Sequence, residues 1–134
     1  MRTKRKKAIC QNPECRIKFN KPSRGNYFGK YCSNACCGRH RRLESIGRFK
    51  QGKMTDNSRR TIRSILTELH GRFCSVCEIT EWCGKPIELL VDHIDGHSDN
   101  NMPGNLRLIC HNCDAQTPTY KNRNNGNGRQ NRRK

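Results

Sequence analysis

The sequence predicts a small α+β protein whose fold is stabilised by bound zinc rather than by a large apolar core. Its 134 residues match the size of one ordinary domain. Only 31% of them are hydrophobic, whereas globular proteins average roughly 45–50%. Ten cysteines stand among short runs typical of strands and helices, and they can replace apolar burial either as disulfides or as metal ligands.

The spacing of the cysteines favours metal over disulfides. Cys74 with Cys77 and Cys110 with Cys113 form two C-x2-C pairs about thirty residues apart. This spacing lets neighbouring thiolates bind one tetrahedral ion, and a site of four sulfurs has no open position, so it is structural. The N-terminus "MRTKRKK" lacks the apolar segment of a signal peptide, and no run is long enough to span a membrane. We therefore expect a cytoplasmic protein with two structural Zn2+ ions and no membrane partner.

The net charge of +17 indicates a polyanionic partner. It arises from 28 Lys and Arg against 11 Asp and Glu, and a charge of this size destabilises a compact chain through self-repulsion. Nucleic acid is the default partner, because neutralising its phosphates releases counterions. A solvated basic tail or an anionic membrane surface would explain a similar charge, but here the basic residues are spread along the whole chain.

Four segments are expected along the chain. Residues 1–42 form a basic N-terminal zinc finger, residues 43–57 a linker, residues 58–125 a second metal-binding domain with a leading helix, and residues 126–134 a basic tail. The tail consists of Asn, Gly, Gln, Arg and Lys, and this composition predicts disorder until phosphate is bound.

The stretch "SRRTIRSILTELHG" predicts the leading helix. Asp56, Asn57 or Ser58 can serve as its N-cap, and Gly71 can end it. Its apolar residues recur at helical spacing and are expected to pack against the rest of the domain. These residues are Ile62, Ile65, Leu66 and Leu69.

The N-terminal segment contains a C-x4-C pair and a C-x3-C pair separated by sixteen residues. The expected zinc ligands are Cys10, Cys15, Cys32 and Cys36. Cys37 lies in the same helical turn as Cys36 and could replace it. The stretch "YCSNACCGRHRRL" resembles the end of a treble-clef-type finger, whose helix would present Arg39, Arg41 and Arg42 to DNA. The alternative is a zinc staple whose basic helix is simply solvated.

Aromatic residues lie between the cysteines of this first group and are expected to cover a small metal-centred core. They are Phe19, Tyr27, Phe28 and Tyr31. In the second domain, Trp82 is expected to pack beside the zinc site. Cys83 stands outside both ligand sets, and we expect it to be a free thiol or a minor core residue.

The region between the two C-x2-C pairs predicts a strand, a loop, a returning strand and a helix. Residues 86–93 ("PIELLVDH") form the first strand and residues 106–109 ("LRLI") the second. The loop "IDGHSDNNMPGN" lacks the closing Glu of a calcium-binding loop, so a turn at Asp95 and a solvated His97 are expected. With zinc holding the ends, the two strands and the helix would bring four polar residues together. These are Asp92, His93, Asn105 and Asp114.

The motifs "CSVC", "EWCGKP", "LVDHIDG", "NNMPGNLRLIC", "CHNC" and "QTPTYKNRN" resemble those of HNH endonucleases, which have the ββα-metal fold, particularly the small phage and bacterial type. The resemblance covers about residues 58–125. It implies that His93 is the general base, Asn105 the second signature residue and Asp114 the third. Members of the family often have His or Asn at the third position, and His111 is the alternative if the alignment shifts.

The resemblance also implies a mechanism. Asp92 and Asp114 would hold one divalent ion, Mg2+ or Mn2+, for which carboxylates are suitable ligands. His93 would take a proton from the attacking water, and Asn105 would fix the loop and the orientation of the imidazole. The products would be a 5′-phosphate and a 3′-hydroxyl. Phosphate contacts are expected at Arg107, Lys121 and Arg123, although each could equally be a solvated charge.

Three functions are compatible with these features. The first is a DNA endonuclease that binds double-stranded DNA as a monomer or as a dimer assembled on DNA, and that nicks one strand or cuts both. The second is a non-catalytic zinc-finger DNA-binding protein with a decayed nuclease site. The third, an RNA-binding zinc protein of ribosomal type, explains the charge but not the Asp–His–Asn set. The nuclease interpretation suggests a phage or mobile-element origin, as a homing endonuclease or a partner of phage packaging proteins.

Overall fold

A computed structural model of the protein describes residues 6–21, 29–54 and 58–124, apart from the side chains of Asn122 and Asn124. It has the expected small α+β architecture. The chain divides into two compact units, Met1–Arg48 and Phe49–Lys134. None of the helices within the described ranges has the length and apolar character needed to cross a membrane. Several predictions fall outside these ranges: the tail, the caps Asp56 and Asn57, and the aromatic residues Tyr27 and Phe28.

The first unit begins with an antiparallel hairpin of β1 (Lys7–Ile9) and β2 (Lys18–Asn20). Helix α1 (Asn34–Lys50) follows, and the Ser33 hydroxyl accepts a hydrogen bond from the Cys36 N–H near its start, as an N-cap does. Residues 43–50 of the expected linker are therefore helical. The buried apolar side chains described in this unit are Cys10, Cys37 and Ile46.

The second unit contains two helices and two short hairpins. In chain order its elements are α2 (Arg59–His70), β3 (Glu81–Trp82), β4 (Lys85–Pro86), β5 (Leu89–His93), β6 (Leu106–Cys110) and α3 (His111–Ala115). Strand β3 pairs with β4, and β5 pairs with β6. Single 3-10 turns lie at Pro103–Asn105 and Lys121–Asn124. The order strand, strand, helix follows the sequence expectation for this region.

Helix α2 forms where its caps and apolar spacing predict it. The Ser58 side chain accepts a hydrogen bond from the Thr61 N–H at 3.2 Å, which satisfies one of the donors left open at a helix start. Gly71 ends the helix with φ 95° and donates its N–H to the Thr67 carbonyl. Ile62 and Leu66 are buried, and α2 packs against both strands of the β5–β6 hairpin.

The β5–β6 hairpin carries the core of the second unit. Leu89 pairs with Cys110 at one end and His93 pairs with Leu106 at the other. The predicted first strand, 86–93, is wrong in its first residues: Pro86 pairs with Glu81 in the separate β3–β4 hairpin, and β5 begins at Leu89. The buried apolar side chains described in this unit are Phe49, Ile62, Ile65, Leu66, Cys74, Leu89, Leu106, Leu108, Ile109 and Cys110.

Candidate metal centres and active-site cleft

The first four-sulfur group lies where the N-terminal cysteines predict it. The Sγ atoms of Cys10, Cys15, Cys32 and Cys36 all lie within 4.8 Å of one another. Cys15 and Cys32 are 3.7 Å apart and Cys32 and Cys36 are 3.3 Å apart at sulfur. Zn–S bonds of about 2.3 Å in a tetrahedron separate the sulfurs by about 3.8 Å, so the group fits zinc. Cys37 is buried outside this group, and the ligand in this turn is Cys36.

The second four-sulfur group joins the segment after α2 to the end of β6 and the start of α3. It consists of Cys74, Cys77, Cys110 and Cys113, again with all sulfurs within 4.8 Å. The Cys110 N–H donates to the Cys74 sulfur at 3.3 Å, and the Cys113 N–H donates to the Cys110 sulfur at 3.4 Å. Such N–H donors stabilise thiolate, the form that binds zinc. This group therefore also fits a structural zinc ion.

The pKa values of the thiols show why each group favours a cation. Contact with Cys36 raises the pKa of Cys32 to about 12, whereas the Ser33 hydroxyl lowers that of Cys36 to about 7. In the second group burial opposes ionisation of Cys74, but backbone N–H donors outweigh it and lower its pKa to about 6. Burial and the neighbouring Cys77 raise the pKa of Cys113 to about 12. Four crowded thiolates therefore need a cation to ionise together.

An open cleft of about 610 Å³ lies over one end of the β5–β6 hairpin in the second unit. It is lined by four parts of the chain: strand β5, the loop that follows it, the short helix α3 with the segment after it, and helix α2. The ionisable residues that line it are Arg59, Arg63, Asp92, His93, His111, Asp114 and Lys121. Three of the four residues expected to come together, Asp92, His93 and Asp114, share this cleft with the alternative residue His111. The fourth, Asn105, is not among the described residues that line it.

The imidazole of His93 is held by Asn101 and not by Asn105 as expected. The His93 Nε2 atom lies 3.0 Å from the Asn101 Oδ1 atom. Because an amide oxygen only accepts, this contact places the proton of a neutral imidazole on Nε2 and leaves the lone pair on Nδ1. Neutral His93 therefore has a defined tautomer with a basic nitrogen available for proton transfer. Asn101 lies in the quoted stretch "NNMPGNLRLIC", but nothing in that stretch indicates which of its asparagines contacts His93.

Asn105 instead closes the loop between the two strands. Its amide Nδ2 donates to the Asp95 carboxylate at 2.8 Å and to the Asn100 carbonyl at 2.9 Å, and its Oδ1 accepts from the Asp95 N–H. Its backbone carbonyl accepts from the Ile94 N–H at 2.9 Å. The expected role of fixing the loop thus agrees with its contacts, whereas the direct contact with the imidazole belongs to Asn101.

Asp95 is the acceptor at the centre of this loop. It accepts hydrogen bonds from the Asn100 side chain at 2.6 Å, the Asn105 side chain and the His97 N–H. Burial alone would raise its pKa, but these donors outweigh that effect and lower the pKa to about 2. An ionised Asp95 thus stabilises the turn expected at this position, while the residue His97 is exposed.

Asp92 forms a buried ion pair across the hairpin. It lies opposite Arg107 in the strand register, and the Arg107 Nε–H donates to its Oδ2 atom at 2.7 Å. The Asp92 side chain is 8% exposed and that of Arg107 31% exposed. The pair gives this carboxylate a partner where it lines the cleft, because a buried charge without one would be costly.

Several residues expected to bind DNA are in contact with protein groups. Arg39 donates from Nε and Nη2 to the two carboxylate oxygens of Glu14, at 2.6 and 2.8 Å. Arg107 pairs with Asp92, and the Arg123 Nη1 atom donates to the Ala115 and Thr117 carbonyls. Arg41 is exposed on α1 and Arg42 is half-buried. Lys121 lines the cleft and its ammonium lies 4.8 Å from the Tyr120 ring centroid.

Two further expectations need correction. Trp82 does not pack beside the zinc group, because 71% of its surface is exposed on the short β3–β4 hairpin. That hairpin is two residues long on each side and offers no apolar face to cover an indole. Cys83 lies in its turn with φ 51° and is exposed, so it is a free thiol and not a core residue.

The small α+β fold carries two four-sulfur groups that fit zinc, and a curated relative confirms the resemblance to HNH endonucleases. That relative is the H-N-H endonuclease F-TflIV of Escherichia phage T5, which is 45% identical over 53 residues. The match covers 40% of this chain and 23% of the relative, so the chain spans less than a quarter of the length of that protein. No family model matches the chain, and no solved structure matches it significantly.

Proposed function

We propose that this chain is a metal-dependent DNA endonuclease with a ββα-metal active site in its second unit. The observation that carries the proposal is the single cleft that contains His93, Asp92 and Asp114 together with several cationic side chains. Its named relative from a phage supports the same class. A phage or mobile-element origin and double-stranded DNA as the substrate are part of this proposal.

His93 acts as the general base. Its Nε2–H donates to Asn101, so the Nδ1 lone pair takes the proton from a water that attacks the scissile phosphate in line with the leaving 3′ oxygen. Asn101 fixes the tautomer and the ring orientation. Lys121, on the same cleft, attracts the phosphodiester and offsets negative charge that develops during attack.

Asp92 and Asp114 would hold the divalent ion, Mg2+ or Mn2+, because carboxylate oxygens suit a hard cation. The Arg107 Nε–H donates to Oδ2 of Asp92 and orients this carboxylate. When bound, a divalent ion supplies charge stabilisation at a non-bridging phosphate oxygen and at the leaving oxygen. The four-sulfur groups have no open ligand position and serve only the fold.

Cleavage of supercoiled plasmid tests this proposal. The zinc-loaded protein is incubated with plasmid and Mg2+ or Mn2+, and in parallel with EDTA. We expect nicked or linear DNA only with the metal, and a fall in rate of about 100-fold or more in His93→Ala. His97→Ala is the matched control, because His97 is an exposed histidine four residues after His93, in the loop that follows β5, and it should cut normally.

Intact binding without any cleavage by the wild-type protein would contradict the nuclease proposal. A non-catalytic DNA-binding protein would then be the better description. Equal activity of His93→Ala and His97→Ala would exclude His93 as the base while leaving a nuclease in place. The proportion of nicked to linear product reports whether one strand or both are cut.

A second pair of variants identifies the third signature residue. Asp114 and His111 both line the cleft, but a carboxylate is the harder ligand. Asp114→Asn is therefore expected to remove most Mg2+-dependent cleavage, while His111→Ala retains it. The opposite result would assign the third position to His111.

A further inference from the structure

The cleft has a basic wall that none of the sequence motifs indicated. Arg59 and Arg63 of α2 line the same cleft as Asp92 and His93. They are four residues apart, so they lie on one face of the helix about one turn, roughly 5–6 Å, from each other. Both residues are exposed, and each guanidinium can bind a phosphate through two hydrogen bonds.

The position of α2 is fixed relative to the candidate catalytic residues. Its buried residues Ile62, Ile65 and Leu66 form one face of the helix, and α2 packs against β5, which carries Asp92 and His93. A substrate held by the exposed face of α2 would therefore be held at a constant distance from the end of β5. Arginines on a mobile loop would not provide this precision.

The charges of this helix are arranged against its own stability. Arg59 and Arg60 begin the helix and its first turn contains no acidic residue, although the positive end of the helix dipole favours acidic residues there. Like charges four residues apart, such as Arg59 and Arg63, also repel each other. A bound anion would relieve both effects.

Arg107 and Arg123, which the sequence favoured for this task, are not among the residues that line the cleft. Arg107 is paired with Asp92, and Arg123 donates to two carbonyl groups beyond α3. Arg59, Arg63 and Lys121 are the Lys and Arg residues that line the cleft within the described part of the chain. The two arginines come from α2 and Lys121 from the segment after α3.

We infer that Arg59 and Arg63 form a phosphate-binding wall, which holds the DNA backbone beside the scissile phosphate. The inference rests on the proposed nuclease function and adds the residues that bind its substrate. Successive phosphates on one strand are about 3.4 Å apart along the DNA axis, so two arginines one helical turn apart reach neighbouring phosphates. Lys121 contacts the same backbone from the α3 side of the cleft.

Binding measurements without metal test this wall separately from cleavage. A fluorescently labelled duplex is titrated with protein in EDTA, in salt from 50 to 200 mM, in a His93→Ala background. The double variant Arg59→Gln with Arg63→Gln should reduce the slope of log affinity against log salt by about 1.8, at about 0.9 per phosphate contact. Arg60→Gln is the matched control, because it removes the same charge from the same helix at a residue outside the cleft lining.

The expected result is a larger loss of slope per arginine in the double variant than in Arg60→Gln. Arg63→Lys should retain the slope, because it keeps the charge, but lose affinity several-fold because it lacks the planar fork. Equal slopes per arginine at all three positions would overturn the wall and leave only general attraction. Melting temperatures verify folding, and Arg63→Lys provides the test if the double variant unfolds.

The outcomes also separate this inference from the nuclease proposal. A wild-type protein that cuts plasmid but shows no difference between Arg59 or Arg63 and Arg60 would retain its nuclease function and lose the wall. A wild-type protein that never cuts, yet shows the predicted difference in salt dependence, would retain the wall as a DNA-binding surface. Absence of any DNA binding would overturn both.

Discussion

The N-terminal four-sulfur group lies in a unit with few buried apolar residues, whereas the second group is attached to an apolar core. In the first unit the described core contains one large aliphatic residue, Ile46, beside Cys10 and Cys37. In the second unit α2 and the β5–β6 hairpin bury a continuous set of Leu and Ile side chains. Each such side chain contributes about 1.5–3 kcal/mol when fully buried.

This difference shows that two zinc sites with the same ligands can have different tasks. In the first unit a bound zinc ion would replace the core, since few buried apolar residues are described there to offset the loss of chain entropy. In the second unit the core is largely made by α2 and the hairpin, and a bound zinc ion would fix the short helix α3. That helix carries Asp114 directly after the ligand Cys113, so the second zinc site places a candidate catalytic residue.

Loss of one zinc ligand from each unit should give the largest effect. Cys32→Ser is expected to unfold the first unit, because binding of a structural zinc ion contributes about 10–16 kcal/mol to such folds. Cys110→Ser should release zinc and free α3 while the amide signals of α2 and the hairpin persist. Zinc content per chain and two-dimensional NMR spectra of both variants measure this. Equal loss of signals in the two units would contradict the proposed difference.

The two arginine–carboxylate pairs provide a second test. Arg107→Ala leaves the Asp92 carboxylate, which is 8% exposed, without its partner and should lower the free energy of unfolding by about 2–3 kcal/mol. Arg39→Ala breaks a pair whose side chains are 40% and 49% exposed and should cost about 0–1 kcal/mol. Denaturant unfolding at saturating zinc compares them. A larger effect of Arg39→Ala would show that the exposed pair of the first unit contributes more to the free energy of unfolding than the pair of the second unit.

Within the second unit, Asn101 and Asn105 should separate catalysis from loop stability. Asn101→Ala is expected to lower the cleavage rate about 10–100-fold with little change in DNA affinity or melting temperature, since its side chain contacts the imidazole of His93. Asn105→Ala should lower both the rate and the melting temperature, because it removes three hydrogen bonds that close the loop. Identical melting temperatures for the two variants would contradict this division.

The smallest expected effect is the acid response of the loop. The pKa of Asp95 is lowered from 3.8 to about 2, so the ionised form is favoured in the folded state. Its contribution to stability is therefore complete above pH 3.8 and is lost as the pH falls towards 2. An NMR titration of the Asp95 carboxyl carbon should have its midpoint near pH 2. A midpoint near 3.8 would show that the donors from Asn100 and Asn105 do not hold this carboxylate.

Local signals in the sequence were sufficient for much of the fold. The cap at Ser58 and the stop at Gly71 predicted the ends of α2, because both act through hydrogen bonds or backbone freedom within a few residues. Cysteine spacing predicted both four-sulfur groups, because the distance between ligands limits how a chain can surround one ion. The adjacent residues Asp92 and His93 indicated the candidate active site, because an acid next to an imidazole at the end of an apolar strand is a local pattern.

Long-range contacts decided the rest. The sequence could not indicate that Arg107 pairs with Asp92 or that Asn101, and not Asn105, contacts His93, because these partners depend on strand register and on the path of a loop. It gave no sign that Arg59 lies in the same cleft as Asp92, because an exposed arginine on a helix has the same local signature wherever the helix packs.

The sequence by itself determined the metal ligands, the helix ends and the residue types available for chemistry, since each depends on a short spacing along the chain. Only the tertiary structure decided which charges are paired, which remain in the cleft and which loop residue holds the imidazole. Those properties depend on the register of two strands and on the packing of α2 against them. Electrostatic and hydrogen-bond energies fall steeply with distance. Differences of a few ångströms in the positions of side chains therefore decide which groups are partners, and the sequence does not reveal such differences.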